Sequence, residues 1–77
     1  MPKIAEIAGA AVFIFPNDHP PPHVHVRCQG TAVRLRISDA RPLDAVPGFP
    51  PRVLRDVTAW LLRHRDVAAD IWASYHT

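Results

Sequence analysis

The sequence contains a single cysteine, Cys28, and no hydrophobic run that approaches the length of a membrane-spanning helix. One cysteine excludes an internal disulfide framework and is typical of a reducing compartment. The first residues lack the charged and then apolar layout of a signal peptide, and no repeat or low-complexity tract interrupts the chain. We therefore expect a cytoplasmic protein that does not associate with a membrane.

Lysine is also scarce, because eight of the nine basic residues are arginine, although the formal net charge is only +2. Arginine binds phosphate or carboxylate through two parallel hydrogen bonds, which favours anionic partners. Codon bias in a GC-rich genome produces the same composition, so both explanations stay open. We expect a single domain over residues 1–77, and a domain this small often gains stability by forming a homo-oligomer.

Two apolar segments near the start, residues 4–8 and 10–15, are rich in β-branched and aromatic residues and are separated by Gly9. This pattern favours two strands joined by a tight turn. The alanine content of the first segment leaves a helix open as the alternative. The sheet is therefore expected to have three or four strands.

Strict alternation of apolar and polar residues begins at His23 and resumes after Gln29-Gly30. A turn at Gln29-Gly30 pairs residues 23–28 with residues 31–37 and places every apolar side chain on one face, whereas a slip of one residue would destroy this match. Arg27 then lies on the polar face with the histidines. The predicted cross-strand pairs are Cys28 with Thr31, Val26 with Val33, Val24 with Leu35, His25 with Arg34 and His23 with Arg36.

Prolines and a glycine interrupt residues 39–51, which we interpret as a connecting loop. Helical spacing of apolar residues then predicts one helix over residues 51–64 and another from an N-cap at Asp66 to about His76, with one continuous bent helix as the alternative. The expected fold is α+β, in which a small antiparallel sheet, formed by two N-terminal hairpins, packs against two C-terminal helices. The predicted core consists of Val24, Val26, Val33, Leu35, Ile37, Val57, Trp60, Leu61 and Ile71.

The most distinctive stretch is residues 15–26, which holds three of the five histidines and four of the nine prolines. Consecutive prolines are expected to form a stiff, polyproline-like rod that determines where His19 and His23 point. The motif Asn17-Asp18-His19-x-Pro21-Pro22-His23-Val24-His25-Val26 resembles the bacterial domain-of-unknown-function family 4160. Further matching features are Met1-Pro2-x-Ile4, Gly48-Phe49, and His64-Arg65-Asp66 before Trp72. The resemblance implies one component of a two-gene, toxin-antitoxin-like module, whose other component is a small protein from a neighbouring gene.

The polar face of the second hairpin supports the binding of anions, and it needs no cofactor. We hypothesise that Asp18, Arg27, Arg34 and Arg36 bind RNA phosphates or a partner protein there. No aromatic residue alternates with these basic residues along the strands, so base stacking is not expected.

Phosphodiester cleavage is a further hypothesis for the same face. One of His19, His23 and His25 would act as the general base and another as the general acid. Arg34 or Arg36 would stabilise the charged transition state.

The alternative hypothesis is a transition-metal site formed by His19, His23 and His25, with Asp18 as a further ligand or an orienting group. Three imidazoles with an open position suit zinc, nickel or copper. The neighbouring arginines oppose a divalent cation unless carboxylates compensate, and only Asp18 is near in sequence.

A third hypothesis is an interaction module that neither catalyses a reaction nor binds a metal. In that case His23 and His25 would hydrogen-bond to the backbone or pair with Asp39 or Asp44 of the long loop. The arginines would form a solvated face or meet acidic groups on a partner chain. His64 and His76 lie near predicted helix ends, and we assign neither of them to a site.

Overall fold

The computed structural model describes residues 2–45 and 47–76. Its elements are β1 (Lys3–Ile7), β2 (Ala10–Phe13), β3 (His23–Cys28), β4 (Thr31–Arg36), α1 (Pro51–Arg63) and α2 (Arg65–Tyr75). The sheet is antiparallel with the strand order β1-β2-β3-β4. This confirms the α+β fold with two hairpins and two C-terminal helices, and the first segment is a strand. Met1 of the family motif and Val46 of the predicted loop lie outside the described residues.

Both hairpins turn through two residues of positive φ. Ala8 (53°) and Gly9 (83°) join β1 to β2, and Gln29 (52°) and Gly30 (79°) join β3 to β4. Two such residues form a type I′ turn, whose twist matches that of the flanking strands. The observed register of β3 and β4 contains each predicted cross-strand pair, which confirms the prediction from alternation.

The core lies between one face of the sheet and the two helices. Trp60 and Ile71 were predicted to be core residues, but they are only partly buried and pack against its edge. Trp72 is buried instead, at 7% exposure, because the side of α2 that faces the sheet is formed by Ala68 and Trp72. The buried side chains of the strands and helices include Val12, Ile14, Val24, Val26, Val33, Leu35, Val57, Leu61, Ala68 and Trp72.

The two helices meet at His64, which ends α1 and precedes α2. The predicted N-cap Asp66 lies instead within the first turn of α2. His64 donates a hydrogen bond from Nδ1 to the carbonyl oxygen of Trp60 and stacks on its ring, and His76 does the same to Trp72 at the end of α2. The carbonyl of Trp60 also accepts from the backbone N–H of His64, whereas that of Trp72 receives its hydrogen bond from the imidazole of His76, because the backbone N–H of His76 donates to Ala73. Among the described residues, no helix has the length and apolar character needed to cross a membrane.

The loop after β4 folds back along the outer edge of that strand. The backbone N–H of Arg36 donates to the carbonyl of Arg41, and that of Leu43 donates to the carbonyl of Arg34. The backbone polar groups of Arg34 and Arg36 therefore point away from β3. His25–Arg34 and His23–Arg36 are consequently non-hydrogen-bonded pairs, the type in which opposite side chains lie closest together.

Candidate metal centre

Three side chains converge where β3 begins: Asp18, from the turn after β2, and His23 and His25 of β3. Oδ2 of Asp18 lies 2.7 Å from Nε2 of His25 and 3.4 Å from Nε2 of His23. One ligand atom from each residue lies within 4.8 Å of the other two. Ligands bound tetrahedrally at about 2.0–2.1 Å are about 3.3 Å apart, so the Asp18–His23 separation matches this spacing and the Asp18–His25 separation would have to widen around an ion.

The hydrogen bonding of His23 determines which of its ring nitrogens is free. Nδ1 lies 2.7 Å from the carbonyl oxygen of Pro21, which can only accept, so Nδ1 carries the hydrogen and donates it. In the neutral ring, Nε2 then directs a lone pair towards Oδ2 of Asp18, which is also an acceptor. Two facing acceptors attract a cation between them. A backbone carbonyl that orients a histidine in this way is common behind metal ligands.

Access to the cluster is unequal on its two sides. The predicted polar face included His23, yet this residue is only 3% exposed, because the ring of Trp72 lies 5.2 Å from its own. The side chains of Asp18 and His25 are each 24% exposed. A bound ion would therefore be supported by the protein on the His23 side and open to solvent on the other.

The backbone of Asp18 is held by His76 at the end of α2. Nε2 of His76 lies 2.7 Å from the carbonyl oxygen of Asp18, and Nδ1 lies 2.7 Å from that of Trp72. Both partners are acceptors, so the two bonds form together only when both ring nitrogens carry hydrogen. Sequence reasoning missed this role of His76, because no local pattern can connect residues 58 positions apart.

The arginines opposite the two histidines are paired with aspartates of the long loop. Arg34 donates from Nε and Nη2 to Asp44 at 2.9 and 2.7 Å, and Arg36 donates in the same way to Asp39 at 3.0 and 2.6 Å. Asp39 and Asp44 thus bind the arginines and not the histidines, which contact Asp18. The hydrogen bonds from Arg34 lower the pKa of Asp44 and those from Arg36 lower the pKa of Asp39 to about 2. These pairs supply the carboxylate compensation that a cation at His23 and His25 needs.

The Asp39–Arg36 contact predicts a measurable acid titration. The pKa of Asp39 is about 2, below its ordinary 3.8, so the contact is complete above about pH 3.8 and is lost as the pH falls through 2. We expect the carboxyl ¹³C resonance of Asp39 to titrate near pH 2 in the wild type and close to the ordinary value in Arg36→Gln. Equal titration midpoints in the two proteins would contradict the assigned contact.

His19 is not part of the cluster. It is exposed, and the ligand atoms that come together are those of Asp18, His23 and His25. The chain bends at Pro20 and Pro21, whose shared peptide bond is cis, so the segment is not the straight rod that was expected. The cluster thus contains two of the three predicted histidines and Asp18, which was expected as a further ligand or an orienting group, and it does not contain His19.

Arg27 and two phenylalanines lie beside the cluster. The guanidinium carbon of Arg27 is 5.1 Å from the centroid of the Phe13 ring, and the ring centroids of Phe15 and His25 are 4.7 Å apart in a T-shaped arrangement. No aromatic residue alternates with the basic residues along β3 and β4, yet these two rings lie beside them in space. The aromatic rings come from β2 and the residues after it, and not from β3 or β4 themselves.

The chain was also compared with known proteins. The family model for a domain of unknown function, DUF4160, matches residues 9–73, a range that includes Asp18, His23, His25 and the paired arginines. No curated protein and no solved structure matches the chain. The match covers most of the sequence and agrees with the resemblance seen in its motifs, and the chain therefore belongs to the DUF4160 family.

Proposed function

We propose that the protein binds one divalent transition-metal ion, of which zinc is the best candidate, through Asp18, His23 and His25. The observation that carries the proposal is the convergence of Nε2 of His23 and Nε2 of His25 on Oδ2 of Asp18, at 3.4 and 2.7 Å. A metal ion would take the place of the hydrogen that His25 now donates. Two imidazoles and a carboxylate suit zinc, and nickel or copper also accept such donors. Three protein ligands leave at least one position open for an exchangeable ligand.

The charges around the cluster favour the binding of a metal ion over the binding of a phosphodiester backbone. Arg34 and Arg36 each direct two guanidinium N–H groups to an aspartate, so the paired donors that bind phosphate most strongly are already occupied. Cleavage of a phosphodiester by His19, His23 and His25 is less well supported, because His19 lies apart and Nδ1 of His23 is held by Pro21.

Elemental analysis of protein purified without an affinity tag or chelator tests the proposal. We expect close to one equivalent of metal per wild-type chain, or uptake of one equivalent of zinc in equilibrium dialysis. The variants His25→Ala and Asp18→Asn should lose this uptake, because each removes or weakens one of three ligands.

His19→Ala is the matched control, since it removes a neighbouring histidine outside the cluster and should retain the full metal content. A folded wild-type protein that takes up no zinc, nickel or copper would overturn the proposal. Equal losses in His19→Ala and His25→Ala would instead indicate the three-histidine site.

A second candidate function, favoured by Arg27, is the binding of RNA or of a small acidic partner protein within a cytoplasmic, toxin-antitoxin-like module. Arg27 is exposed and takes part in none of the ion pairs that the described residues form. Its guanidinium lies over Phe13 on the same side of the sheet as His25. A free cation beside aromatic rings is typical of surfaces that bind nucleic acid or protein carboxylates.

Fluorescence anisotropy with a labelled single-stranded RNA distinguishes this candidate from metal binding. We expect binding to weaken steeply between low and physiological salt, and Arg27→Ala to weaken it further than Arg52→Ala, an exposed arginine on α1. Gel analysis of the same RNA tests cleavage. Binding that is absent, or equally reduced by both variants, would contradict a role for Arg27.

A further inference from the structure

We propose that the open position of the bound metal and the side chain of Arg34 together bind a small oxyanion of the phosphate or carboxylate class. This inference rests on the proposed metal site and names its exchangeable ligand. It assigns to Arg34 a role different from that of Arg36, although both arginines belong to β4 and both pair with an aspartate.

The first step is the position of Arg34 relative to the metal ligands. Arg34 is the cross-strand partner of His25 in a non-hydrogen-bonded pair, in which Cβ atoms lie about 4.5–5.5 Å apart. Asp44 is the main cause of the raised pKa of Arg34, and the carboxylate of Asp18 adds to it. The side chain of Arg34 therefore lies on the same face of the sheet as His25, next to it across the two strands.

The second step is the capacity of the guanidinium for another acceptor. Arg34 uses Nε and Nη2 for Asp44, and among the hydrogen bonds of the described residues none involves its Nη1. The side chain is 44% exposed. Asp44 thus holds the guanidinium in one orientation and leaves one nitrogen with two hydrogens for an anion.

The third step is the charge balance. The two arginine–aspartate pairs are each neutral, so Asp18 is left as the one negative charge of the cluster. A divalent ion bound there brings the charge of the ion and its three ligands to +1, and Arg27 nearby adds a further positive charge. An oxyanion neutralises this charge and fills the metal's coordination shell at once.

Arg36 also pairs through Nε and Nη2 and is 39% exposed, but its cross-strand partner differs from that of Arg34. Its partner His23 is buried, and its pKa is raised by Asp39 without a contribution from Asp18. Arg36→Gln is therefore a matched control for Arg34→Gln, because both changes remove one guanidinium from one strand and break one ion pair.

Visible absorption of the protein loaded with Co²⁺ tests the inference, because Co²⁺ reports on its own ligands and zinc does not absorb. We expect inorganic phosphate or acetate to change the cobalt spectrum saturably, and the preferred anion identifies the class. Arg34→Gln should weaken the binding of that anion about tenfold, whereas Arg36→Gln should change it less than about twofold. Arg34→Lys, which keeps the charge without the planar fork, should fall between the wild type and Arg34→Gln.

The outcomes separate this inference from the proposed function. A Co²⁺ spectrum that neither anion changes, or equal anion affinities in the wild type and Arg34→Gln, would overturn the inference and leave the metal site in place. Failure of the folded wild-type protein to bind Co²⁺ or zinc would overturn both this inference and the proposed metal site. Far-UV circular dichroism of each variant confirms that it is folded before titration.

Discussion

Saturating zinc is expected to raise the midpoint of thermal unfolding of the wild-type protein by about 15–30 °C. The ligands come from a turn and from β3, so they assemble only in the folded chain. A ligand that binds the folded state alone stabilises it by about 4 kcal/mol at 1,000 times its dissociation constant. For a domain of this size, each kcal/mol moves the midpoint by about 4–8 °C. Circular dichroism melts with and without zinc measure the shift directly.

Two variants show whether this shift comes from the candidate centre. His25→Ala should melt at the same temperature with and without zinc, because it retains only two of the three ligands. His19→Ala should show the shift of the wild type. If zinc stabilised His25→Ala as strongly as the wild type, the ion would be binding elsewhere and the proposed ligand set would be wrong.

The second hairpin could be predicted in full from sequence because a strand with one buried face has only one register that buries its apolar residues. Val24, Val26, Val33 and Leu35 determine that register, and the pairing of His25 with Arg34 follows from it. The break between the helices was expected near His64-Arg65 and falls at His64, whereas Asp66, the expected N-cap, lies within the first turn of α2. There His64 bonds the last carbonyls of α1 through both its backbone N–H and its Nδ1, a contact that no local sequence pattern indicates.

The candidate centre could be predicted only in part, because some of its contacts join segments that are far apart in the sequence. His23 and His25 follow from alternation, because residues two apart on a strand share a face. The contacts of Arg34 with Asp44 and of His76 with Asp18 join segments 10 and 58 residues apart, and their geometry depends on how the loop and α2 pack. The objection that arginines exclude a cation therefore rested on charges whose partners were not visible in the sequence.

Packing of α2 connects the centre to the core through one side chain. Trp72 lies against the ring of His23 and stacks on His76, with ring centroids 5.2 and 4.1 Å away. His76 in turn holds the carbonyl of Asp18. Two of the three proposed ligands thus depend on the position of a residue that contributes no ligand atom, so the stability of the helix layer and the affinity of the site are expected to change together.

Trp72→Ala is accordingly expected to lower the free energy of unfolding by about 3–5 kcal/mol, the usual cost of truncating a buried tryptophan. A domain of this size is stable by roughly 4–12 kcal/mol, so the variant should be close to its unfolding transition at 25 °C. Urea denaturation, followed by far-UV circular dichroism, measures the loss. Trp72→Phe keeps an aromatic ring against His23 and should recover much of the stability.

Trp60→Ala is the matched comparison for Trp72→Ala, because Trp60 also stacks on a histidine four residues later but is only partly buried and lies away from the centre. It should cost about half as much free energy and leave zinc affinity unchanged, since neither Trp60 nor His64 contacts a proposed ligand. Trp72→Ala, measured at a temperature where it is still folded, should bind zinc more weakly than the wild type. If both alanine variants bound zinc with wild-type affinity, the ring of Trp72 would be a core residue without influence on His23, and the site would be supported by Pro21 and the Asp18 turn alone.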